Sequence, residues 1–139
     1  MRQSGVIPLR TYEDVDAAAE WLVRAFGFRA GERHEDESGQ VIARHLDAGD
    51  GDSTIVLGWV GPGYHSPRRH RETCQASREW QETVAIIDGV AVFVDDVDAH
   101  CERARSAGAR ILSEPEDSPF GRRYRAEDAE GQRWMFLQG

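Results

Sequence analysis

The segment Glu13-Asp14-Val15-Asp16-Ala17 returns in the second half of the chain as Asp95-Asp96-Val97-Asp98-Ala99. An internal echo of this kind constrains the fold more than any other feature, because it makes the chain two copies of one supersecondary unit. Each copy follows a strand-like run, Val6 to Tyr12 and Gly89 to Val94, and each opens a helical pattern. Asp14 and Asp96 are natural N-caps, since a carboxylate there accepts orphan N–H bonds and meets the positive end of the helix. Val15, Ala18, Leu22, Ala25 and Phe26 recur at helical spacing in the first copy, as do Val97, Cys101 and Ala104 in the second. Gly27 and Gly108 stand where a helix ends on a left-handed residue.

Three further strand-like runs follow each helix. In the first half they are Phe28 to His34, Gln40 to Ala48 and Thr54 to Trp59, with turn-forming sequences at Glu35 to Gly39 and Gly49 to Asp52. In the second half they are Ala109 to Ser113, Arg122 to Glu127 and Gln132 to Leu137. Glu114-Pro115-Glu116-Asp117 reads as a solvated acidic loop, and Asp128-Ala129-Glu130-Gly131 as a turn. Each half is therefore β-α-β-β-β, and at about 55 residues it would be marginal alone. The expectation is one α+β domain spanning residues 1–139, with module one at about 5–60, a linking insert at about 61–86 and module two at about 87–138. In the insert, Gly61-Pro62-Gly63 breaks the chain, Ser66-Pro67 starts a helix, and Arg68 to Gln81 contains no Pro or Gly to interrupt it.

Charge narrows the function classes. Seventeen Lys and Arg against 25 Asp and Glu give a net charge of −8. A surface so biased repels phosphate backbones, which argues against nucleic acid or an anionic membrane as partner. The first ten residues hold no apolar core of a signal peptide, and no run approaches the roughly 18–20 apolar residues of a membrane helix, so the cytoplasm is the default. Two cysteines, Cys74 and Cys101, are too few for a disulfide framework. Cys101 reads as a small core residue. No Ser-His-Asp spacing or phosphate-binding glycine loop is present, and His34 and His45 fall on strands with no acidic or hydroxyl partner implied.

Several ordered pieces carry a family resemblance. In the second half they are Val90 to Ala99, Ala107-Gly108-Ala109 and Asp128 to Phe136; in the first, Val6 to Leu9, Glu13-Asp14-Val15 and Ala25 to Phe28. Together they resemble the vicinal oxygen chelate superfamily, which includes glyoxalase I, extradiol dioxygenases and bleomycin-resistance proteins. The resemblance implies two tandem βαβββ modules whose curved mixed sheets surround a cavity, with helices outside, in a homodimer. Metal-using members hold a divalent ion with His or Glu from the first and last strands of each unit. The matching positions here are Ile7, Gly89, Met135 and either Ile55 or Val56. None supplies a ligand for a hard or borderline ion, so the resemblance is nearest in character to the metal-independent, bleomycin-resistance-like members, with no cofactor expected.

Strand alternation assigns the faces. If Gly89 and Met135 face the cavity, so do Ala91, Phe93, Arg133 and Leu137, while Val90, Val92, Val94, Trp134 and Phe136 face the helices. Ile7 and Leu9 then face inward, and Arg10 falls on the helix side, which calls for a carboxylate partner or a different register. The expected binding residues are Ile7, Leu9, Phe93 and Met135 as floor and Trp59, Tyr64, His65 and Trp80 as rim. Aromatic rims hold planar ligands by stacking and burial. In the insert, Arg68 or Arg69 is a candidate anion contact, against the plainer reading of a solvated basic face. His65, His70 and Cys74 are the donors available for an atypical metal site. The function expected is binding of a small apolar or aromatic molecule such as an antibiotic or toxin. The alternatives are a lyase, isomerase or dioxygenase that uses such an atypical metal or metal-free acid–base chemistry, and a regulatory module with a vestigial pocket.

Overall fold

The computed structural model describes residues 5–49, 53–86 and 88–139 of the chain. The backbone divides into two compact units, Met1–Tyr64 and His65–Gly139. The expected turn over Asp50 to Asp52 lies outside the described residues.

The first unit contains β1 (Leu9–Thr11), α1 (Val15–Phe26), β2 (Arg29–Glu35), β3 (Val41–Ala48) and β4 (Ser53–Gly58). The sheet order is β1-β4-β3-β2, with β1 parallel to β4 and the other pairs antiparallel. Helix α1 forms as its sequence dictates. The Asp14 carboxylate accepts from the Ala17 amide at 3.0 Å, and Gly27 closes the helix at φ 74°. Its apolar stripe, Val15, Ala18, Ala19, Trp21, Leu22, Ala25 and Phe26, is buried, as are Leu46, Ala48, Ile55 and Leu57 of the sheet. Edge-to-face rings join Trp21 to Phe26 and Phe26 to Phe28. Asp16, in the first turn of the helix, holds Arg33 of β2 at 2.9 Å and Arg44 of β3 at 3.2 Å. The hydrogen bond from Arg33 keeps the Asp16 carboxyl below the usual carboxylate range.

The second unit contains α2 (Pro67–Thr73), α3 (Gln75–Trp80), β5 (Val90–Val94), α4 (Val97–Ser106), β6 (Arg110–Ser118), β7 (Gly121–Glu127) and β8 (Arg133–Gln138). Its sheet repeats the first in order and direction, β5-β8-β7-β6 with β5 parallel to β8. Asp96 caps α4 as Asp14 caps α1, accepting from the Ala99 amide at 3.0 Å. Asp98, the counterpart of Asp16, grips Arg122 of β7 at 2.7 and 2.9 Å. The core here is Val92, Val97, Cys101, Ala104, Tyr124, Ala126, Trp134 and Phe136.

Three expectations need correction. The first strand is shorter than Val6 to Tyr12: pairing begins at Leu9, so Ile7 precedes it, although the Pro8 carbonyl still accepts from the Val56 amide. The acidic run Glu114-Pro115-Glu116-Asp117 is not a loop but the outer half of β6. Arginines on β7 explain this: Glu116 lies opposite Arg123 and Asp117 opposite Arg122, so cross-strand charge replaces apolar pairing. The insert holds two short helices rather than one, because Cys74 is extended (φ −137°) and separates them. Ser66 and Pro67 do start the first, with the Ser66 hydroxyl accepting from the Arg69 amide.

The two helices of the insert are fastened to their own sheet by charge. Glu127, at the end of β7, is 1% exposed and meets Arg71 at 2.9 Å, Arg133 at 3.2 Å and Arg110 at 3.4 Å. Arg133 also donates to the carbonyls of Gln81 (2.7 Å) and Ala85 (2.9 Å), and Arg71 to the Gln81 side chain.

Candidate functional site

In each unit the helix after the first strand lies over one face of the sheet; the other face is open in part, and in the second unit the α2–α3 segment covers its Glu127–Arg133 end. In the first unit the open face carries Leu9, Val56 and His45 in one cross-strand row. Leu9 is 77% exposed, whereas its neighbour Arg10 is 8% exposed and lies opposite buried Leu57. The register that places Arg10 on the helix side is thus the one observed. It also resolves the choice between Ile55 and Val56: Ile55 is buried under α1, so Val56 is the open-face residue.

In the second unit the open face carries Ala91 opposite Met135 and Phe93 opposite Leu137. Phe93 is 63% exposed, while Val92, Trp134 and Phe136 on the other face are buried. The alternation expected for β5 and β8 is therefore observed. Phe93 and Met135 stand diagonally on one face, and Arg125 lies beside Met135 with its Nε donating to Ser113 at 3.0 Å.

The rim residues fall in different settings. Trp59 follows β4, half-buried, with its amide donating to the Ile42 carbonyl. Tyr64 is half-buried and its hydroxyl donates to the Thr11 carbonyl at 3.2 Å, which ties it to the end of β1. His65 and Trp80 belong to the second unit and are exposed, Trp80 at the end of α3. Arg68 is committed in part to structure: its amide and guanidinium both donate to carbonyls of the Asp128–Gly131 turn, and Glu72 lies 3.7 Å away. Arg69 is exposed on α2.

The positions at which metal-using relatives place ligands do not suit a metal here. Ile7, Val56 and Met135 are without a hard or borderline donor, and Gly89 has no side chain at all. A Cβ at residue 89 would sit 1.9 Å from the Ile86 side chain, so a ligating residue does not fit there without rearrangement. The alternative donors His65, His70 and Cys74 are not gathered into a group either. Among the described residues, the group whose donor atoms converge is Glu32, His34 and His45. His34 and His45 thus do have an acidic neighbour, contrary to the sequence reading. The sequence could have shown half of it, since Glu32 and His34 alternate on one strand face, but not the pairing that adds His45.

Two buried reactive side chains are inert. Burial pushes the Cys101 thiol up to about 11 and raises the Tyr124 hydroxyl as well. The latter lies 2.6 Å from His100 Nδ1, within a stack of His100, Tyr124 and Phe136.

Residues 8–136 match the Glyoxalase/Bleomycin resistance protein/Dioxygenase superfamily, and the chain belongs to that family. Among solved structures it is similar to TioX from Micromonospora sp. ML1, at 32% identity over 98% of this chain and 96% of that one, with a TM-score of 0.68. TnmS3, described as an antibiotic binding protein from Streptomyces sp. CB03234, shares the fold at 20% identity, covering 99% of this chain and 98% of its own, with a TM-score of 0.62. A glyoxalase I mutant from Zea mays shares it at 16% identity, over 96% of this chain but 44% of the larger maize chain, with a TM-score of 0.70. No curated protein matched the sequence. No helix among the described residues is long and apolar enough to cross a membrane.

Proposed function

We propose that the protein binds a small, partly aromatic molecule on the open faces of its sheets and sequesters it, without a metal at the four strand positions used by chelating relatives. The observation that carries this reading is the exposure of large apolar side chains where a folded chain normally hides them, Leu9 on one open face and Phe93 on the other. Antibiotics and other planar natural products fit such surfaces, because stacking adds about 0.5–1.5 kcal/mol per ring pair beyond burial. The shared fold with TnmS3, described as an antibiotic binding protein, supports the same reading. With a net charge of −8, the reading includes no nucleic-acid or membrane partner, and it takes the protein as a cytoplasmic homodimer.

The test is a tryptophan-fluorescence titration of the full chain against a panel of planar aromatic antibiotics, with molar mass in solution measured by light scattering. Saturable quenching by at least one compound is expected. Phe93→Ala should weaken it about threefold to tenfold, the loss of one stacked contact. A panel without saturable binding, or binding unmoved by both Phe93→Ala and Leu9→Ala, would overturn the reading.

A further inference from the structure

The open face of the first sheet carries a donor group that the family's chelating positions do not explain. Glu32 and His34 come from β2 and His45 from β3, and their donor atoms all lie within 4.8 Å of one another. His34 Nε2 is 3.4 Å from Glu32 Oε2, and His45 Nδ1 is 3.9 Å from the same oxygen. The pairing of β2 with β3 slips between Ala30 and Arg33. Gly31 sits in that irregularity against His45, where a Cβ would come within 3.1 Å of the His45 carbonyl oxygen. A glycine there lets the two strands close. With Arg33 opposite Arg44 and His34 opposite Ala43, plain alternation then sets Glu32 on the face of His34 and His45.

Two further facts bear on an ion at this group. His45 is 12% exposed, and its Nδ1 is buried without a hydrogen bond, since 3.9 Å is too long for one. The strand pair's own cations are also held away from the donors. Arg33 and Arg44 alternate with them and turn to the helix side, where Asp16 binds both.

We propose that Glu32, His34 and His45 bind a divalent transition-metal ion of borderline hardness, of the Zn²⁺ or Ni²⁺ class. Two imidazole nitrogens and one carboxylate oxygen are the donor set such ions select, whereas Mg²⁺ and Ca²⁺ favour oxygen alone. Donors about 2.0–2.2 Å from an ion stand roughly 3–3.5 Å apart. The exposed Glu32 and His34 side chains reach that by small rotations. Three protein donors leave coordination positions for water or for ligand oxygens.

The experiment uses the full chain, stripped with a chelator and titrated with Co²⁺, whose visible absorption reports coordination, followed by competition with Zn²⁺. One equivalent per chain should saturate the absorption, and Zn²⁺ should displace it. Glu32→Gln and His34→Gln should each weaken Co²⁺ by at least the tenfold to hundredfold that loss of a supporting group costs. Both side chains are exposed, and the far-ultraviolet circular dichroism of the metal-free variants should match the parent. His70→Gln, on α2, should bind as the parent does. No saturable absorption up to about 1 mM Co²⁺, binding unmoved by either site substitution, or binding lost with His70→Gln would overturn the site. The inference stands apart from small-molecule binding: Co²⁺ coordination and antibiotic quenching are read separately, and either can fail alone.

Discussion

The two units share a sheet order, a helix cap and an aspartate that reaches from helix to sheet, but they are held together differently. Helix α1 buries seven side chains, two of them aromatic, whereas α4 buries only Val97, Cys101 and Ala104. The second unit makes up the difference with Tyr124, Trp134 and Phe136 from its strands and with the α2–α3 segment bound around Glu127. One topology is thus secured in one case by apolar burial under its helix and in the other by a buried carboxylate ringed with arginines. Strand order and connection rules decide the architecture, and more than one set of contacts satisfies them.

The sharpest way to break this contrast is to remove the carboxylate. Glu127→Ala leaves Arg71, Arg110 and Arg133 facing one another. It should cost about 3–5 kcal/mol, the penalty for stripping one partner from a buried charge group, read as a lower urea midpoint. The matching change in the first unit is Leu22→Ala. It should cost about 2–5 kcal/mol through the cavity it leaves in a fully buried site, measured in the same way.

A finer comparison uses one turn in two places. Asp36-Glu37-Ser38-Gly39-Gln40 and Asp128-Ala129-Glu130-Gly131-Gln132 fold alike: each aspartate side chain accepts from the amides two and four residues on. Gly39 and Gly131 have φ 87° and 89°. An alanine at 39 meets nothing, so Gly39→Ala should cost only about 1–2 kcal/mol for the left-handed backbone. At 131 the added carbon would lie 2.8 Å from the Arg68 amide nitrogen, so Gly131→Ala should lower the thermal midpoint further than Gly39→Ala does.

The smallest effect belongs to the helix-to-sheet aspartates. Asp16→Asn should cost under about 1 kcal/mol in a urea titration, because the pair is part-exposed. Asp16 and Asp98 both have carboxyls lowered by their arginines. Their contribution is therefore present above the unfolded carboxylate range and lost as pH falls through the lowered folded values. Acid unfolding monitored by circular dichroism should be shifted to higher pH in an Asp16→Asn, Asp98→Asn double variant.

Much of this was legible in the residues. The Asp-Val-Asp echo located both helices, their caps and the tandem plan, and period-two alternation placed Leu9, Arg10, Phe93 and Trp134 on their correct faces. What escaped depends on partners far apart in the chain. Glu127 draws its arginines from three separate segments, and nothing local marks it as buried. The acidic run of β6 looks like a loop until the arginines of β7 are set opposite it. The Glu32, His34 and His45 group depends on the register of β2 against β3, which sets His34 opposite Ala43 and so brings His45 to the same face, and no local pattern in the sequence gives that register. Of the candidate site, the open-face residues were readable by parity, whereas the roles of Tyr64 and Arg68 were hidden by hydrogen bonds to distant backbone carbonyls.

The repeated turn carries one more consequence. Its hydrogen bonds close within five residues, and in the first unit they are made within the turn itself among the described residues. It joins β2 to β3 in one unit and β7 to β8 in the other, which are not corresponding hairpins. A loop that completes itself is free to form on the roughly 1–10 μs timescale of a hairpin, before either sheet exists. In the first unit it would act during folding as a starting point that aligns β2 and β3 early, whereas the turn of the second unit is also held by Arg68 and Trp134 and waits on them.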